Sequence, residues 1–347
     1  MNIETLRKTA PPVKKVETID LQEPEHFLLD NGIPVYCIAA GDQEVLKMDI
    51  IYKSGASTSI RPAVPYITNS CMREGTKNFS SGQIAGTIDY YGATLTGSVT
   101  RDDARVIIFC LTRHFEQVLP VIGEIVLAPT FPEVEVKTIT SRSKQEFLVE
   151  LEKVSFLARR HFGKTIFGAD HPYGTYAEAE DYDKISGEVL SEYYRKNYLF
   201  STFRIIVSGR IPENIQHLLN GYFGRHQVSE ISPQNFNHST NLREKSLFIE
   251  KPDALQSGVV IGKTLFNMNH PDWIKMQVVN TIFGGYFGSR LMTNIREDKG
   301  YTYGINANLV SMQHAGLLYI STQVGNDVTQ LAIDEVFKEI DRMRNEP

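Results

Sequence analysis

Residues 280–303, NTIFGGYFGSRLMTNIREDKGYTY, decide the reading of this chain. The stretch opens apolar and breaks at Gly284 and Gly285. It resumes with helical spacing through Leu291 and Ile295 and closes in a charged turn over 296–300. Beyond the turn, Tyr301 and Tyr303 begin an alternating segment to Leu309, which predicts a strand. A glycine loop thus leads into a helix, and a turn leads on into a strand. Arg296 closes the helix and Tyr303 lies just inside the strand. A guanidinium and a phenol so placed reach one point beyond the turn, where each can donate a hydrogen bond to a carbonyl or an oxyanion. The plainer reading of the same spacing is a helix-capping arginine and a core aromatic.

The composition belongs to an ordinary globular protein. Of 347 residues 41% are hydrophobic and 22% charged, and the net charge is −5, a length that suggests about two domains. No basic excess marks a nucleic-acid surface. No apolar run approaches the ~20 residues of a membrane span. The N-terminus has no apolar signal-peptide core, so a cytoplasmic location is expected. Cys37, Cys71 and Cys110 are odd in number and far apart, which fits buried thiols in a reducing compartment.

The pattern GG–x3–SRL–x3–IRE–x2–G–x2–Y comprises Gly284, Gly285, Ser289, Arg290, Leu291, Ile295, Arg296, Glu297, Gly300 and Tyr303. It resembles the second-half signature of the pitrilysin, insulinase and mitochondrial-processing-peptidase family of zinc peptidases. The resemblance implies an α+β fold of two duplicated halves, each a mainly antiparallel sheet packed by helices. It also implies that Arg296 and Tyr303 reach toward a zinc site held elsewhere, as substrate-binding residues.

Active members of that family carry H-x-x-E-H on a helix shortly before a Gly-Thr pair. Counting back from Gly75 and Thr76 puts Tyr66, Asn69 and Ser70 at those positions. Two imidazoles a helical turn apart grip zinc, and the glutamate takes a proton from its water. A phenol, an amide and a hydroxyl do neither at neutral pH. Glu146 is the nearest candidate for the family's third ligand, but it sits in a run of alternating charge and reads as a solvated helix residue. The nine histidines are scattered, and His171 fits a His-Pro-aromatic-Gly turn. No metal or catalytic residue is therefore expected in this chain.

Around these motifs, four parts are expected. Residues 1–23 form an extended lead-in, 24–227 a first peptidase-like domain and 228–243 a polar linker. Residues 244–347 form a second peptidase-like domain that reads as truncated, at about half the first one's length. Asn31 and Gly32 predict a hairpin turn, 133–167 a long helical tract, 247–250 a strand and 270–283 a helix. The order of elements in the second domain repeats that of 33–126, an internal duplication.

Two functions follow as expectations. One is a catalytically silent subunit that binds unfolded peptide and supplies Arg296 and Tyr303 to the zinc site of an H-x-x-E-H-bearing partner chain, with a homodimer formed when that partner is absent. The other is a structural or peptide-binding pseudo-peptidase scaffold with no part in proteolysis. A metal-free hydrolase is disfavoured, because no nucleophile motif is present.

Overall fold

The computed structural model describes residues 15–198, 203–225 and 246–346. The polar linker expected at 228–243 lies outside the described residues. The first sheet has six strands: β1 (Glu25–Leu28), β2 (Pro34–Ala39), β3 (Val45–Tyr52), β4 (Thr94–Val99), β5 (Ala104–Leu111) and β6 (Phe203–Gly209), in the order β1-β2-β6-β3-β5-β4. Only the β2–β6 pair is parallel. Along β3, Leu46, Met48, Ile50 and Tyr52 are completely buried, whereas Lys47 between them is exposed and pairs with Asp49 at 2.8 Å. The period of two puts one apolar row on a single face.

Helices cover that face. The helices of this half are α1 (Val64–Cys71), α2 (Ser81–Tyr90), α3 (Phe115–Leu127), α4 (Glu133–Leu151), α5 (Val154–Phe167), the single turn α6 (Ala179–Tyr182), α7 (Gly187–Asn197) and the short α8 (Ile215–Leu219). Residues of α1, α2, α3, α4 and α7 join the sheet in one continuous core. Ser80 starts α2 with a reciprocal cap, accepting from the Gln83 N–H while its own N–H donates to the Gln83 side chain at 2.9 Å. The tract expected to run unbroken over 133–167 is two helices. Lys153 is extended between them, and α5 thereby turns away from α4.

The second sheet contains β7 (Gln256–Leu265), β8 (Thr302–Ser311) and β9 (Gly316–Gly325), all antiparallel, in the order β7-β9-β8. This order matches β3-β5-β4 of the first sheet, as a duplicated unit requires. Helices α9 (Trp273–Asn280) and α10 (Thr329–Asn345) flank the sheet, together with two wide-turn helical segments, Thr281–Gly285 and Met292–Asp298. The strand expected at 247–250 does not form. Those residues have no strand partner among the described residues, and Phe248 is 88% exposed.

The two sheets meet along α5. That helix lies against β7, with Phe162 beside Tyr319 at 6.0 Å between ring centres. At one end of the contact, the β8–β9 hairpin docks on the loop after α5. Asp102 joins them: one carboxylate oxygen accepts from the Tyr173 hydroxyl at 2.5 Å, the other from the Gln313 backbone N–H at 2.8 Å. Burial, reinforced by that carboxylate, pushes the Tyr173 phenol well above its ordinary value, so it stays a donor. His171 serves the same turn, accepting from the Tyr173 N–H at 3.0 Å and stacking on Phe167. Asp102→Ala is expected to cost about 2 kcal/mol, since hydrogen bonds to a charged group contribute ~1.5–3 kcal/mol. Hydrogen exchange at 312–315 should rise while the first sheet stays protected.

Candidate functional site

The second-half motif divides cleanly by burial. Leu291 and Ile295 are wholly buried and form the second core with Ile305, Ala307 and Ile320. Arg290 donates to Glu339 of α10 at 3.1 Å, and Asn294 and Arg342 bond to the same buried carboxylate. Gly300 takes a φ of +66°, and its N–H caps the Arg296 carbonyl at 3.1 Å. These motif residues build the turn. Arg296 and Tyr303 take no part in that core and face outward.

The Arg296 guanidinium carbon lies 4.5 Å from the centre of the Phe287 ring and 5.7 Å from that of Tyr303. Two rings hold the cation by their negative faces. Its nearest carboxylate is Glu297, at 3.9 Å on the surface, a weak pairing in water. Tyr303 is 93% exposed. The core-aromatic reading of this residue is thereby excluded. Among the described residues no protein group bonds the Tyr303 hydroxyl.

A bulge accounts for the exposure of Tyr303. By simple alternation it shares a face with Ile305 and Ala307, which are buried. The register runs Thr302 to Val324 and then Ile305 to Thr322, so three steps on β8 oppose two on β9. The extra residue reverses the facing of everything before it. Thr302 and Thr322 stitch the bulge, both hydroxyls donating to the Gly304 carbonyl at 2.9 Å. The alternating pattern of 301–309 carried no sign of this, because a bulge is a matter of pairing between strands.

Tyr66, Asn69 and Ser70 all lie on α1, one helical turn apart. Their environment does not fit zinc. Asn69 is buried, and its amide donates to the Arg105 carbonyl of β5 at 3.1 Å. Desolvation pushes the Tyr66 phenol up, against the pull of the nearby Arg101 guanidinium, so it remains neutral. Arg101 itself donates to the Thr175 carbonyl at 2.9 Å and lies over the Tyr176 ring. A fixed cation stands beside the place where a metal would need anionic or imidazole donors. Glu146 is solvated and paired with Arg142 at 3.8 Å. Among the described residues no group of three or more His, Cys, Asp or Glu is placed to hold a metal.

The three thiols offer no nucleophile. All are buried, and burial pushes Cys71 up to about 12 and Cys110 up to about 11. No helix among the described residues is long and apolar enough to cross a membrane.

A family model described as the peptidase M16 inactive domain matches residues 184–347. The chain is 23% identical over 266 residues to "Uncharacterized zinc protease YmxG" of Bacillus subtilis, a match covering 75% of this chain and 63% of that protein. It is 22% identical over 277 residues to "Non-peptidase homolog YmxG" of Helicobacter pylori, covering 77% and 63%. It therefore spans about 63% of the length of these curated relatives. The crystal structure of a peptidase M16 inactive domain from Pseudomonas fluorescens superposes with a TM-score of 0.80 at 22% identity, covering 93% of this chain and 80% of that one. Motif, relatives and fold point the same way: residues 184–347 match the peptidase M16 inactive domain, and the chain has the fold of such a domain.

Proposed function

We propose that this chain is the non-catalytic half of a two-chain zinc peptidase. It binds extended peptide, and Arg296 and Tyr303 donate hydrogen bonds to the peptide carbonyl at the point of cleavage. The partner is an H-x-x-E-H-bearing chain of the same family, which holds the zinc. The observation that carries this reading is the exposure of Tyr303 together with its convergence on Arg296. A core-building pair would be buried, and a bulge that turns a tyrosine into solvent has no packing benefit.

The chemistry asked of this chain is modest. A peptide carbonyl gains negative charge as it is attacked, and donors already aimed at that oxygen favour the charged form. The guanidinium offers N–H donors in a planar fork, and the phenol hydroxyl adds another donor. Both are held by rigid elements, so little ordering is needed at the moment of reaction.

The test is reconstitution. Neither this chain nor an H-x-x-E-H chain from the same cell should cleave an unfolded peptide efficiently alone, and the mixture should do so. Full activity of the partner alone, unaffected by this chain, would refute the reading. The second reading is a pseudo-peptidase scaffold, supported by the name of the Helicobacter relative as a non-peptidase homologue. A scaffold would bind its partner equally well with Arg296 replaced, and the mixture would cleave nothing.

A further inference from the structure

A second polar site lies where the two halves meet. A cavity of about 370 Å3 opens between α5 and the second sheet, within the range of ~300–1,000 Å3 typical of small-ligand pockets. Its floor is the face of the sheet opposite the second core. Asn306 and Asn308 project from β8, and Tyr319 and Ser321 from β9. The Gly284, Gly285 turn closes one end, and Arg159 of α5 forms the far wall.

The charge balance of this cavity is one-sided. Among the described residues Arg159 is the sole formal charge lining it, and no aspartate or glutamate does. Arg159 makes no ion pair or hydrogen bond among the described residues, whereas its neighbour Arg160 is buried and bonded to the Ala177 carbonyl and to Glu178. The remaining polar groups are amides and hydroxyls, which donate to anions without adding charge.

We infer that this cavity binds a carboxylate, carried by an acidic side chain of an extended peptide. A planar guanidinium pairs with a carboxylate through two parallel hydrogen bonds, and neighbouring amide groups can satisfy the remaining lone pairs. One cation matches a monoanion, while a phosphate dianion would call for more positive charge than the lining holds. The placement suits a peptide. Asn306 is three residues along β8 from Tyr303, ~10 Å at strand rise. The inference stands apart from the role of Arg296 and Tyr303, since neither residue lines the cavity.

The experiment uses the full chain and a fluorescein-labelled Glu decapeptide followed by anisotropy, with a Gln decapeptide and citrate as comparison ligands. The expected result is that Arg159→Gln weakens the Glu peptide at least tenfold and leaves the Gln peptide unchanged. Arg113→Gln, an exposed arginine remote from the cavity, should have no effect beyond general screening. Asn308→Leu fills the cavity without touching charge and should also weaken binding. Citrate that binds in an Arg159-dependent way while the Glu peptide does not would keep carboxylate recognition and overturn the peptide assignment. Equal binding of either ligand by wild type and Arg159→Gln, or no binding at millimolar ligand, would overturn the inference altogether. Circular dichroism of all three variants confirms that the fold is retained.

Discussion

Arg296→Ala is expected to reduce peptide cleavage by the reconstituted two-chain enzyme about 100- to 1,000-fold, the usual consequence of losing one preorganised donor to a developing oxyanion. The unfolding transition of the isolated chain should hardly move. The guanidinium contacts two surface rings and one exposed carboxylate, and such contacts contribute about 1 kcal/mol or less. The two readouts therefore separate. If the loss falls on kcat with KM steady, the residue acts on the transition state; a rise in KM alone would mean that it binds ground-state peptide. Arg296→Lys keeps the charge and loses the planar fork, so it should recover only part of the rate. Unaltered cleavage in Arg296→Ala would remove the residue from the mechanism. Tyr303→Phe is its natural companion, because it deletes the hydroxyl and leaves the ring beside the guanidinium.

Gly284→Ala is expected to be strongly destabilising, costing about 2–3 kcal/mol through overpacking. A methyl group at this position would lie 2.7 Å from the backbone nitrogen and Cβ of Ala307, and 2.9 Å from Leu291. Backbone cannot yield as a side-chain tip does, so the turn at 281–285 must back away from β8. That movement strains the bond from the Asn280 amide to the Ala307 carbonyl, now 3.1 Å. It also shifts the segment carrying Phe287 and Arg296 relative to Tyr303. A lowered melting temperature and reduced activity should thus appear together, unlike the separated effects of Arg296→Ala. Gly285→Ala is the control: its nearest contact would be 3.2 Å, to the Asn280 carbonyl, and it should be the milder of the two. Equal stability of Gly284→Ala and wild type, measured by denaturant melts, would contradict the packing described.

Much of this protein was legible from its residues. Leu46, Met48 and Ile50 alternate with polar neighbours, and the period of two places them in one core whatever else the chain does. Leu291 and Ile295, four apart, likewise had to share a helical face. The absence of imidazoles at 66, 69 and 70 was equally plain, because zinc chemistry depends on donor type before geometry. Elsewhere the local pattern was silent or misleading. Residues 247–250 are a short apolar run that reads as a strand but finds no partner among the described residues, and a strand exists only through the ladder it joins. The helical tract at 133–167 divides at Lys153, where no glycine or proline announces a break.

The sequence by itself determined the apolar rows of the two cores, the family motif and the absence of imidazoles at 66, 69 and 70, since each follows from side-chain chemistry and local spacing. Tertiary structure alone decided that Tyr303 faces solvent, that Asp102 ties the two halves together and that Arg159 stands over a polar cavity. The bulge in β8 arises from register against β9, the Asp102 bonds span 71 and 211 residues, and the cavity exists only where α5 meets the second sheet. None of these contacts is local, and spacing along a chain carries no information about which distant groups the fold brings within reach.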